Sequence, residues 1–175
     1  FEVTYGKETQ HIVMIDKIVK IVKTDLVTGD EIEGAKLQVI DENGNIIDEW
    51  TSTKEPHIVN GLEENQKYKL VEITAPYGYE LTEEIEFVVT TDKETQLVEM
   101  KDMPILKDIK VIKIDSKTKE IIKEKFSFGI YEDEECNNLI KEVKSSKADG
   151  YVVFEDLRYG TYYIKETKSP SGYEL

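Results

Sequence analysis

The sequence repeats itself, and the repeats are cut out of phase with the ends of the chain. Near residue 20 it reads KIVKIVKTD and near residue 110 KDIKVIKID, laying Lys23 over Lys113 at an offset of 90. Further on, YKLVEITAPYGYEL (Tyr68 to Leu81) lies over YYIKETKSPSGYEL (Tyr162 to Leu175), with Glu72 over Glu166 at an offset of 94. Two landmarks in the same order at nearly the same spacing mark a duplicated unit of about 90 residues. A third match runs the other way: FEVTYGKETQHIVMID (Phe1 to Asp16) lies over FVVTTDKETQLVEMKD (Phe87 to Asp102) at a constant offset of 86. The expected organisation is therefore a complete unit at 18–104, a second unit at 105–175 without its closing strands, and, at 1–17, the closing strands of a split unit.

The elements within each unit read as strands. Segments rich in Val, Ile, Thr, Tyr and Phe recur at Ile18 to Lys23, Lys36 to Ile40, Lys67 to Ile73, Glu84 to Thr90 and Leu97 to Lys101. Turn signals such as Asp41-Glu-Asn-Gly-Asn45 and Ala75-Pro-Tyr-Gly78 separate them. Short strands at this spacing predict an all-β chain of tandem two-sheet sandwiches. No long amphipathic helix is evident.

Charge narrows the function. With 23 Lys+Arg against 37 Asp+Glu the formal net charge is −14, the wrong sign for nucleic acid or an anionic membrane surface, since phosphate backbones are bound by basic patches. No apolar run approaches the roughly 18 residues of a spanning helix. The single cysteine, Cys136, allows no internal disulfide and no thiolate zinc site. His11 and His57 are too scattered for a metal or catalytic pair, and Asp41 to Asn45 reads as a hairpin turn rather than a calcium loop. Trp50 reads as core or strand-edge packing. No cofactor or metal is expected.

Strand parity singles out a different set of residues. Successive side chains on a strand alternate faces, so Lys23 shares the inward face of Val19 and Ile21, Glu72 that of Tyr68 and Leu70, and Asp102 that of Val98 and Met100. The second unit repeats the pattern. Lys113 follows Val111, Glu166 follows Tyr162 and Ile164, and in the amino-terminal segment Asp16 follows Ile12 and Met14. Burying such charges singly costs several kcal/mol, so they neutralise, pair or react. Asp25 and Asp115 share the lysines' parity, but each opens a polar turn where Asp side chains commonly bond the backbone.

The patterns VKTD and IKID, VEITAPYGYEL and KETKSPSGYEL, and the closing strand HIVMID resemble the collagen-adhesin B-type (CnaB) domains of Gram-positive surface adhesins and pilins. HIVMID is also similar to the peptide half of the split SpyTag/SpyCatcher pair. The resemblance implies immunoglobulin-like or prealbumin-like sandwiches of the CnaB type, in which a lysine and a last-strand Asp or Asn condense into an isopeptide bond with a glutamate as catalyst. Carried over, the first unit has Lys23, Asp102 and Glu72. The second has Lys113 and Glu166, with Asp16 supplying the missing acceptor. Condensation happens once per site, so no turnover enzyme is implied.

The resemblance further implies a structural stalk module, extracellular and cell-wall-anchored, whose signal and anchor lie outside this sequence. The connectors near Lys17–Ile18 and Met103–Lys107 are short, which predicts units strung end to end and split ends that couple head-to-tail with neighbouring copies. The alternative is a ligand-binding adhesin domain recognising host extracellular matrix protein or glycan.

Overall fold

The computed structural model describes residues 18–90, 95–146 and 148–175. Among them there are strands and turns but no helix. The chain divides into two compact units between Met103 and Pro104.

Unit one contains β1 (Ile18–Asp25), β2 (Lys36–Asp41), β3 (Ile46–Thr51), β4 (His57–Val59), β5 (Lys67–Thr74), β6 (Ile85–Val88) and β7 (Thr95–Asp102). They form two sheets, ordered β4-β1-β7 and β3-β2-β5-β6. The first and last strands pair in parallel, with Lys23 opposite Met100 and Asp25 opposite Asp102. Val19, Ile21, Val98 and Met100 from one sheet meet Leu37, Val39, Tyr68, Leu70 and Phe87 from the other in a single buried core. Alternation produces this sandwich: on β5 the even-numbered Tyr68, Leu70 and Glu72 are buried and the odd-numbered neighbours are not. The Asp41 to Asn45 segment is the β2–β3 hairpin, with the Asp41 carboxylate accepting from the backbone N–H groups of Asn43 and Asn45 and Gly44 at φ 84, where a side chain is disfavoured. Trp50 lies on edge strand β3 and stacks on His57, ring centroids 4.1 Å apart.

Unit two contains β8 (Leu106–Ile112), β9 (Ser127–Tyr131), β10 (Leu139–Lys144), β11 (Tyr151–Arg158) and β12 (Tyr163–Lys168). Its sheets are β11-β8 and β10-β9-β12. Laid over unit one, each sheet matches up to the same point. Among the described residues, β8 has no partner where β1 has β7, and β12 has none where β5 has β6. The core is correspondingly thin: Phe126, Ile130, Val152, Phe154 and Leu157 are buried, while Ile109, Val111 and Tyr162 are only half-buried.

One parity expectation fails in an informative way. Ile164, placed inward with Glu166, is 38% exposed, whereas Leu70, its counterpart in unit one, is 0% exposed. In unit one the face that carries Leu70 packs against residues of β6 and β7; unit two has no described strand in those places.

Candidate functional site

Three strands of unit one deliver one polar side chain each into the core. Lys23 comes from the end of β1, Glu72 from β5 in the facing sheet, and Asp102 from the last residue of β7. The parallel β1–β7 register sets Asp102 two residues beyond the partner of Lys23, and the period of two keeps both on the inner face. The Lys23 and Asp102 side chains are 1% and 0% exposed, and Glu72 is 0% exposed. Lys23 Nζ contacts Asp102 Oδ1 directly and lies 2.9 Å from Glu72 Oε1. All three residues chosen by parity meet at one point.

Thr82, which parity did not single out, ties the two carboxyl groups together. Its N–H donates to Glu72 Oε2 at 2.8 Å and its hydroxyl lies 2.5 Å from Asp102 Oδ1 and 2.9 Å from the Lys101 carbonyl. Thr82 stands in the loop after the PYGYEL motif, and only the pairing of that loop with the end of β7 brings it to the site. No strand pattern marks it. Burial pushes the Glu72 carboxyl above the ordinary carboxylate range, and the Thr82 N–H and Lys23 only partly offset that effect. Asp102 Oδ2 is buried with no hydrogen-bond partner among the described residues.

The motif after β5 has a second task. The Tyr79 hydroxyl donates to Asp25 Oδ2 at 2.8 Å, while Asp25 Oδ1 accepts from the N–H groups of Val27 and Thr28. Unit two repeats this contact for contact: Tyr173 to Asp115 Oδ2 at 2.9 Å, and Lys117 and Thr118 N–H to Asp115 Oδ1. The aspartates are thus turn builders, as the sequence suggested, and the final tyrosine of PxGY clamps the turn that ends the lysine strand. The tyrosines' role was not anticipated.

In unit two Lys113 Nζ contacts Glu166 Oε2, with side chains 19% and 16% exposed. The half-site therefore assembles, but wetter. Asp16 lies outside the described residues. Among the described residues no cluster of three or more metal-ligating side chains occurs.

A sandwich whose first and last strands run parallel, with a lysine and two carboxyl groups buried between its sheets, fits a prealbumin-like domain. This chain belongs to the SpaA prealbumin-like fold domain family, whose pattern matches twice, over residues 17–104 and 107–175. Among solved structures, the Bacillus anthracis TIE protein is similar at 28% identity and a TM-score of 0.69, over 91% of this chain and 29% of that one. The C-terminal fragment of the pilus adhesin SpaC from Lactobacillus rhamnosus GG shares the fold at 15% identity and a TM-score of 0.53, over 91% and 78%. The chain thus spans less than a third of the TIE protein structure. A search of curated proteins gives no match.

Proposed function

We propose that the chain is a structural module of a Gram-positive surface pilus or adhesin, displayed outside the cell, in which unit one is locked by a Lys23–Asp102 isopeptide bond. The observation that carries this reading is the dry contact of Lys23 Nζ with the Asp102 carboxyl beside Glu72. The step starts from the uncharged amine and acid. The amine nitrogen then attacks Asp102 Cγ, and a C–N bond forms. Glu72 takes one amine proton and hands one to the departing hydroxyl, the C–O bond breaks, and water leaves. Holding the two groups in contact supplies on the order of 7 kcal/mol of the barrier reduction. The reaction consumes its own residues, so it builds structure and is not turnover catalysis. Lys23 and Asp102 are 79 residues apart, and closing a loop of that size would add about 4 kcal/mol of stability by the chain-entropy argument.

The intact mass of the denatured chain tests this reading. It should fall short of the sequence mass by one water for unit one, and Glu72→Ala should restore the full mass. A full mass in the unsubstituted chain would overturn the assignment.

The same chemistry extends to unit two, with Asp16 of one molecule meeting Lys113 and Glu166 of the next. The support is that β8 and β12 both present unpaired edges among the described residues, which a donor strand satisfies. A head-to-tail contact that does not close on itself propagates as a fibre. On a denaturing gel, concentrated protein should give a ladder that survives boiling and reductant and vanishes with Asp16→Ala or Lys113→Ala. A monomer band alone, with unit one bonded, would refute the coupling.

A further inference from the structure

Thr82 holds one oxygen of each carboxyl group in the unit-one site. Its N–H donates to Glu72 Oε2 at 2.8 Å, and its hydroxyl donates to Asp102 Oδ1 across 2.5 Å. The oxygens left over are Glu72 Oε1, which is 2.9 Å from Lys23 Nζ, and Asp102 Oδ2, which has no hydrogen-bond partner among the described residues. The backbone fixes this arrangement from both sides. The loop that carries Thr82 is fastened by the Tyr79 hydroxyl on Asp25 Oδ2 and by the Glu80 N–H, which donates to the Met103 carbonyl at 2.9 Å. Asp102 is fastened in turn, its carbonyl accepting from the Leu26 N–H at 2.9 Å. Thr82 and Asp102 are therefore set against each other by contacts that do not pass through the lysine.

We infer that Thr82 is a catalytic residue of the bond-forming step, its hydroxyl holding Asp102 Oδ1 as the oxygen that stays in the amide while Oδ2 leaves. The inference rests on the Lys23–Asp102 reading and deepens it, because it gives the two oxygens of Asp102 different fates. As Lys23 Nζ bonds to Asp102 Cγ, the double bond to Oδ1 opens and negative charge gathers on that oxygen. Lys23 Nζ contacts Oδ1 before the reaction and gives that contact up on bonding to Cγ. The Thr82 hydroxyl remains as the donor. It carries a single proton and also lies 2.9 Å from the Lys101 carbonyl, so its donation is shared at first and concentrates on Oδ1 as the charge grows. A contact that strengthens towards the transition state is the kind that speeds a reaction. Glu72 Oε1, kept towards the lysine because Oε2 is held by the Thr82 N–H, takes the proton that the nitrogen loses and passes it to the Oδ2 hydroxyl. The bond from Cγ to Oδ2 breaks, water leaves, and the double bond to Oδ1 re-forms. With no partner holding it among the described residues, Oδ2 is the oxygen free to go.

Timed mass measurement on the full chain tests this role. The chain is made by cell-free translation and kept dilute, synthesis is stopped, and samples are denatured in acid at intervals for intact mass. Brief proteolysis of parallel samples reports how much chain has folded. Thr82→Val keeps the branched shape and the N–H but loses the hydroxyl. It should fold at the ordinary rate and lose its water at least about tenfold more slowly than the unsubstituted chain, as expected when an oxyanion donor is deleted. Thr82→Ser keeps the hydroxyl and should react at close to the unsubstituted rate. The valine chain should still reach the full loss of one water, because slow chemistry in a folded site runs to completion. Bonding as fast in Thr82→Val as in the unsubstituted chain, or as slow in Thr82→Ser as in Thr82→Val, would overturn the inference and leave the bond standing. So would a Thr82→Val chain whose bonding lags only because its folding lags or fails, since the threonine would then be structural. The bond reading fails separately: a full mass in the folded, unsubstituted chain at every time would mean that Lys23 and Asp102 do not couple, and the role of Thr82 would fall with them.

Discussion

Units one and two carry the same pattern of residues at matching strand positions, yet one is dry and the other wet at the same point. The Lys23–Glu72 pair is 1% and 0% exposed, and the Lys113–Glu166 pair 19% and 16%. The lysine strands are built alike, and both end in an Asp turn clamped by a tyrosine. What differs is the closing pair of strands. In unit one β6 and β7 contribute Phe87, Val98 and Met100 to the core, and β7 also carries Asp102. One element therefore delivers both a carboxyl group against Lys23 and part of the apolar cover around it. Cover of the lysine–glutamate pair and closure of the sandwich thus go together: the pair is dry in unit one and wetter in unit two, where the described residues supply no closing strands.

The largest expected effect breaks the cover in unit one. Met100 is fully buried between the sheets, so Met100→Ala should cost about 2–5 kcal/mol. Ile164→Ala in unit two, where the side chain is largely in water, should stay within about 0.5 kcal/mol. Denaturant unfolding followed with separate probes on the two units measures both. Equal losses would mean that the closing strands are not what distinguishes the units.

Much of this contrast was legible in the sequence, because it depends on periods and repeats. The period of two placed Lys23, Glu72 and Asp102 on inner faces, and the structure brings them together. The out-of-phase repeat gave the expectation that unit two lacks its closing strands, and residues 1–17, which carry the matching segment, lie outside the described residues. Ile164 was misjudged because parity reports which way a side chain points on a strand and not whether anything covers it. Thr82, Tyr79 and Tyr173 were missed for a different reason. They sit in loops, where no period applies, and their hydroxyl groups find Asp102, Asp25 and Asp115 across 20, 54 and 58 residues of sequence. The only available signal was that GYEL recurs, and recurrence alone does not say what a tyrosine bonds.

The tyrosine clamps sharpen the comparison at smaller scale. Asp25 is buried, so Tyr79→Phe removes a hydrogen bond from a carboxyl group with little access to water. The expected cost is about 1–2 kcal/mol in unit one, read by urea unfolding. Tyr173 is exposed and Asp115 only half-buried, so water replaces most of the lost hydroxyl, and Tyr173→Phe should cost unit two less than about 0.5 kcal/mol. A larger loss from Tyr173→Phe than from Tyr79→Phe would reverse the argument that cover sets the strength of the shared contacts.

The smallest effect is a difference in sign between two carboxyl groups. The N–H groups of Thr118 and Lys117, with the Tyr173 hydroxyl, hold Asp115 below its ordinary value of 3.8. Its contribution to stability is therefore fully present above the unfolded value and is lost as the pH falls through the lower, folded one. Glu72 runs the other way. Burial raises it above its ordinary 4.5, so the folded unit keeps that proton longer than the unfolded chain does, and stability from this group declines as the pH climbs from the unfolded value through the raised one. Acidification from pH 6 towards 3 thus favours unit one through Glu72 and weakens the Asp115 turn of unit two. A carbon-detected NMR titration of the two side-chain carboxyls separates them. A Glu72 midpoint at or below 4.5, or an Asp115 midpoint at or above 3.8, would remove the link between the closing strands and the chemistry of the residues beneath them.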